Sequence, residues 1–187
     1  TVMYNRAAAN FLASVNDQER GRDAREGYRR AIREFDAVAE HAHLAGEACY
    51  YRGMARRGLA MAEKGQDPRE ALEKAIEDLA RAVESTPKNG KAWSGLIQAR
   101  IALLQAQQAR GASPDAEASR ALQDCGKALD IDPGNWRVVQ QRGFLRVATG
   151  DAEGALEDFA ETARLIGSTP GWLQELIDWA EQNRKPR

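Results

Sequence analysis

Apolar residues recur along this chain at intervals of three and four, as in Ala75, Leu79, Ala82 and Val83, or Leu122, Cys125, Ala128 and Leu129. That spacing gathers them into one stripe of a helix, and strand-like alternation is absent. Proline marks boundaries between the periodic stretches, at Pro68, Pro87, Pro114, Pro133 and Pro170, with Pro186 in the tail. Asp67-Pro68-Arg69-Glu70 reads as a helix cap, a proline at the first helical position and a capping-box glutamate. Ser113-Pro114-Asp115 and Thr169-Pro170 repeat that grammar, and Gly150-Asp151 is a stop followed by a new cap. The pattern predicts helices near 46–64, 69–86, 91–110, 114–131, 136–149 and 152–166, preceded by a pair near 2–16 and 22–42. A ninth, aromatic and amphipathic, carries Trp172, Leu173, Leu176, Ile177 and Trp179.

These helices are copies of one unit. Four segments place an apolar residue four positions after a small one and a smaller residue three further on: Ala31/Phe35/Val38, Ala75/Leu79/Ala82, Ala121/Cys125/Ala128 and Ala155/Phe159/Thr162. The middle two reach proline five residues later, at Pro87 and Pro133, where the chain must leave one hairpin for the next. Trp93 and Leu96 follow Pro87, and Gly53 and Gly143 stand where two helices of a unit would approach closely. Together these residues resemble the tetratricopeptide repeat, whose pattern runs W-x2-L-G-x2-Y, A-x3-F, P. The resemblance covers residues 1–167, in about four degenerate repeats.

It implies an all-α, right-handed α-solenoid of antiparallel helix hairpins with about nine helices. One domain over 1–187 is expected, with repeats at about 1–43, 46–87, 90–133 and 136–167 and a capping helix at about 170–183. The spacing departs from the family. Ala31 to Ala75 is 44 residues, Ala75 to Ala121 is 46 and Ala121 to Ala155 is 34, so the first three repeats carry lengthened helices. An excess of that size shared between two arms adds roughly one and a half turns to each. An ordinary helical bundle is the competing architecture, but it has no need of the recurring triplet.

Charge narrows the function. Lys and Arg total 27 against 28 Asp and Glu, interspersed rather than blocked, which argues against nucleic-acid partners. Apolar runs fall short of the roughly 20 residues that span a bilayer, so no membrane insertion is expected. Cys49 and Cys125 lack metal-ligand spacing and read as buried hydrophobes, fitting a reducing cytoplasm better than an oxidising space. His41 and His43, the only histidines, fall on different faces of a helix rather than at metal-site spacing. Phosphate-cradling loops and nucleophile elbows are missing from the sequence. Acid pairs such as Glu77-Asp78 and Glu157-Asp158 are expected on solvated faces. A non-catalytic chain without cofactor or metal follows. Its alanine- and arginine-rich composition points to a bacterial source, and its start at Thr1 to a natural product that is longer or trimmed.

The family resemblance implies a concave groove lined by the first helix of each unit, seating a peptide or partner protein, as in an adaptor or scaffold. Candidate stripes are Glu47, Tyr50, Met54, Arg57 and Met61; Lys91, Ser94, Gln98, Ile101 and Gln105; and Arg137, Gln140, Phe144 and Val147. The contact residues expected are Tyr50, Met54, Arg57, Lys91, Gln98, Arg137, Gln140 and Phe144. Tyr50, Met54 and Gly95 stand in place of the cation and asparagine pattern that family members use to clamp acidic chaperone tails. The alternative is a structural or dimerisation segment of a larger signalling or secretion protein, a homodimer built on Trp136, Phe144, Trp172 or Trp179.

Overall fold

The computed structural model describes residues 2–39, 44–113 and 115–182. Among them are nine helices: α1 (Val2–Glu19), α2 (Arg25–Ala39), α3 (Ala45–Ala62), α4 (Arg69–Ser85), α5 (Gly90–Gln108), α6 (Asp115–Ile131), α7 (Trp136–Ala148), α8 (Ala152–Ile166) and α9 (Gly171–Gln182). His41, His43 and Pro114 lie outside the described residues. The chain divides into two compact units, residues 1–106 and 107–187. The division falls near the tip of the third expected hairpin, so α5 and α6 belong to different units.

In the first unit α1 packs on α2 and α3, α2 on α3, and α3 on α4. Short connections make the packed helices that follow one another in the chain antiparallel. The core holds Ala7, Phe11, Tyr28, Ala31, Phe35 and Val38, closed from α3 by Ala48 and Ala55. Phe35 stacks on Tyr51 with ring centroids 5.6 Å apart, and Phe11 meets the same tyrosine edge-on at 5.6 Å. Full burial of a side chain such as Phe35 contributes about 2–3 kcal/mol. Tyr28, buried here, keeps its hydroxyl satisfied by donating to Gln18 Oε1 at 2.6 Å. Trp93 anchors the start of α5, its indole N–H donating to the Pro87 carbonyl at 2.8 Å.

In the second unit α6 packs on α7, α7 on α8 and α8 on α9. Gly150 (φ 85°) turns the chain out of α7, and Asp151 caps α8 by accepting the Gly154 N–H at 2.9 Å. At Asp67 only half of the expected cap forms. Its carboxylate accepts the Arg69 N–H at 3.2 Å, but Glu70 pairs with Lys74 at 2.7 Å instead of reaching back. Helix α9 buries Leu173 and Ala180 against Val147 of α7 and Ala155 and Phe159 of α8.

The two glycines singled out by the repeat do bring helices together. A Cβ on Gly53 would lie 2.7 Å from Leu79 Cγ and 3.0 Å from the Ala75 carbonyl; on Gly143 it would lie 2.6 Å from Phe159 Cε1. The lengthening is shared differently from expectation. From Gly53, α3 runs nine residues to Ala62, whereas α7 runs five from Gly143 to Ala148. The turn between α3 and α4 spans six residues against three between α7 and α8. Each arm therefore gains about one turn rather than one and a half, and the tip takes the remainder.

Candidate functional site

Two faces of α3 carry its chemistry, and the first is structural. Asp78 is only 1% exposed, and its carboxylate accepts from Arg52 Nε at 2.9 Å, Arg52 Nη2 at 2.6 Å and Arg56 Nη1 at 2.6 Å. These bonds hold the Arg52 guanidinium above its usual pKa, burial opposing them. Asp158 repeats the arrangement, accepting from Arg142 Nη2 at 2.6 Å and Arg146 Nη1 at 2.9 Å while 3% exposed. The expectation that both acids sit on solvated faces is thus corrected: Glu77 and Glu157 are exposed, but their neighbours are clamped inside. The first hairpin has a milder version, with Glu34 accepting from Arg6 Nε at 2.8 Å and Asn10 Nδ2 at 2.7 Å. Charge-assisted pairs of this kind fix the angle between two helices.

The other face of α3 carries the expected contact residues. Glu47, Tyr50 and Tyr51 line a concavity of about 170 Å³ with Tyr4, Gly46, Thr86, Asn89 and Lys91. The fold thus brings Tyr50 of α3 and Lys91 of α5 together. Burial, then a hydrogen bond to Glu47, pushes the Tyr4 phenol well above its usual pKa. Tyr50 also packs on Tyr51 at 5.0 Å, and burial raises its phenol too. Tyr50 and Met54 press on α5 at Gly95, where a Cβ would lie 3.3 Å from Tyr50 Cε2 and 3.2 Å from Met54 Sδ. Both are half-buried; Tyr50 is at once a packing residue and part of the wall, while Met54 packs beside it without lining the concavity. Gln98 is half-buried and donates to Ser94 Oγ at 3.5 Å.

Arg57 stands apart. It is half-buried, its Nε is sealed from solvent with no hydrogen-bond partner among the described residues, and burial pulls the guanidinium below its usual pKa. Tyr28 and Tyr50 are the groups that oppose that shift.

The second unit treats its candidates differently. Arg137 is exposed and lies over the Trp136 ring, 4.4 Å from its centroid, and Gln140 is half-buried. Phe144 is stacked on Trp179 of α9 at 5.5 Å, so its outer face is already occupied. Val147 and Ser94, expected on open stripes, are buried at 7% and 5% exposure; the terminal helix covers Val147. Trp136 and Trp172 pair at 6.1 Å.

Among the described residues no group of three or more His, Cys, Asp or Glu is arranged to hold a metal ion. No described helix is long and apolar enough to cross a membrane. Cys49 and Cys125 are buried free thiols, and burial pushes Cys125 up to about 12.

No protein-family model matches the chain, and no curated protein matches it. Solved structures do. A thermophilic TPR protein of Thermus thermophilus aligns with TM-score 0.64 and 17% identity over 95% of this chain and 87% of its own. A MamA protein aligns with TM-score 0.63 and 15% identity, covering 95% and 81%. A MamA fragment from Desulfovibrio magneticus aligns with TM-score 0.58 and 20% identity, covering 86% and 76%. The fold is an all-α solenoid of the tetratricopeptide type.

Proposed function

We propose that the chain is a non-catalytic protein-interaction module, a set of four repeats and a cap whose first-helix faces receive a peptide or partner protein. The observation that carries this reading is the concavity at Tyr4, Glu47, Tyr50, Tyr51 and Lys91. Arg52 of α3 is tied to Asp78 of α4, while Glu47, Tyr50 and Tyr51 of the same helix set aromatic and charged groups around the hollow. Tyrosines with charged neighbours suit protein recognition, because a tyrosine offers a large contact area and a polar tip at small entropic cost. Of the eight expected contact residues, Tyr50, Met54, Arg57, Lys91 and Gln98 belong to the first unit and carry the reading. Arg137 and Gln140 remain candidate contacts in the second unit. Phe144 serves the cap.

Site-specific photocrosslinking tests it. A photoreactive side chain at Lys91 is expected to trap a discrete partner in cells, and one at the exposed Glu73 of α4 is not. Equal labelling at both, or none at Lys91, refutes the assignment. The rings named for a self-association patch pair with one another inside the second unit, Trp136 with Trp172 and Phe144 with Trp179. Light scattering is accordingly expected to give the mass of one chain.

A further inference from the structure

The arginines of α3 offer an internal comparison. Arg52 and Arg56, with side chains 11% and 23% exposed, share the carboxylate of Asp78. Arg142 and Arg146, at 30% and 26%, share Asp158. Arg57 is half-buried on the same helix as the first pair, yet among the described residues no carboxylate faces it and its Nε has no acceptor. Burying a guanidinium without a counter-ion is costly, and half-buried cations in folded proteins are normally paired. The isolated charge also lies on the surface that carries the hollow: Tyr50 is seven residues earlier, two helical turns, and is close enough to act on the Arg57 charge. The separation along the helix is about 10 Å, which an extended chain covers in roughly three residues. The hollow itself, about 170 Å³, is smaller than the several hundred Å³ usual for a small-molecule site and fits one large side chain.

We infer, building on the interaction reading above, that this face of the first unit takes an extended acidic segment of a partner protein. An internal Asp or Glu carboxylate of that segment is received by Arg57, and a side chain roughly three residues away fills the tyrosine-lined hollow. Arg57 supplies in-plane N–H donors that can grip a carboxylate. Met54, between the two anchors, offers an adaptable apolar floor.

A random peptide library displayed on phage and panned on the full chain tests this, with selected peptides resynthesised with blocked ends so that only side-chain carboxylates remain. Binding is read by fluorescence anisotropy. The expected peptides carry an acidic residue whose change to the amide weakens binding at least tenfold to the natural chain and leaves binding to Arg57→Gln unchanged. Tyr50→Ala is expected to weaken every selected peptide. Peptides that need Tyr50 but no acid, or an acid dependence that survives in Arg57→Gln, overturn the inference while leaving the interaction surface standing. Peptides indifferent to both variants, or no selected peptide at all, overturn both. A ligand-free measurement guards against misfolding. Arg57→Met removes an unpaired charge and is expected to raise Tm by about 2–4 °C, and a fall in Tm refutes the isolation of the charge.

Discussion

The buried clamp makes the sharpest energetic prediction. Asp78→Asn keeps the shape of the side chain but turns one carboxylate oxygen into an amide donor, facing Arg52 and Arg56, which are donors themselves. Two of the three charge-assisted hydrogen bonds of 2.6–2.9 Å end on the same oxygen, so at most two survive, and the two guanidiniums lose their shared anion. Breaking one side of a fully buried ion pair costs about 3–5 kcal/mol. The arginines are not fully buried, and Arg52 keeps a 2.8 Å contact to Asp36, itself 52% exposed. The lower end, about 3 kcal/mol, is therefore expected. With a urea m-value of roughly 1.5 kcal/mol/M, the midpoint for the first unit should fall by roughly 2 M. Hydrogen exchange read by mass spectrometry over α3 and α4 locates the loss, and Asp158→Asn should move it to α7 and α8. Glu77→Gln, one residue away on the exposed face, is expected to stay within about 0.5 kcal/mol of the parent chain. If Asp78→Asn and Glu77→Gln shift the midpoint equally, the clamp is not what fixes α3 on α4.

Gly53→Ala forces a methyl to within 2.7 Å of Leu79 Cγ and 3.0 Å of a backbone oxygen, and should cost about 2 kcal/mol in denaturant titration. Gly126→Ala, inside α6 with nothing within 4 Å of the added carbon, should instead stabilise by about 0.5–1 kcal/mol. A double-mutant cycle of Phe144→Ala and Trp179→Ala should give a coupling of about 1 kcal/mol, and additive losses would mean that the 5.5 Å stack does not hold α9 down. Burial raises the Cys125 thiol from 9.0 to about 12 in the folded chain, so its stabilising share is complete below pH 9 and is lost as pH rises towards 12. Iodoacetamide at pH 8 should therefore label Cys125 only after unfolding, and equal rates with and without urea would contradict the burial.

Helix boundaries were legible because proline, glycine and aspartate mark them chemically. The α7 to α8 turn at Gly150 and Asp151 lies where the residues require it. The packing of Phe144 was not, because its cover arrives from α9, more than thirty positions on, and no local period encodes where a terminal helix lands. Arg57 was half legible. It has Gly53, Met54, Ala60 and Met61 at the neighbouring helical positions, so no acid lies within reach along α3, but only the fold shows that none arrives from another described helix. Asp78 was misplaced for a geometric reason. A residue next to a core apolar position points about 100° away from it and ordinarily reaches solvent. Here Gly53 lets α3 approach until a methyl would touch both Leu79 and Asp78, and that margin is swallowed with the core. The signal was nonetheless present in the repeat. In three of the four segments an acid precedes the larger apolar residue, at Glu34, Asp78 and Asp158, and arginine precedes the small residue of the opposing helix, at Arg6, Arg52 and Arg142; the remaining segment keeps the acid, Asp124, but α5 has no such arginine. Four residues after each of those arginines stands another donor, Asn10, Arg56 or Arg146. Solvated charges have no reason to keep such a register across repeats of different length; a buried acid with two donors one turn apart does.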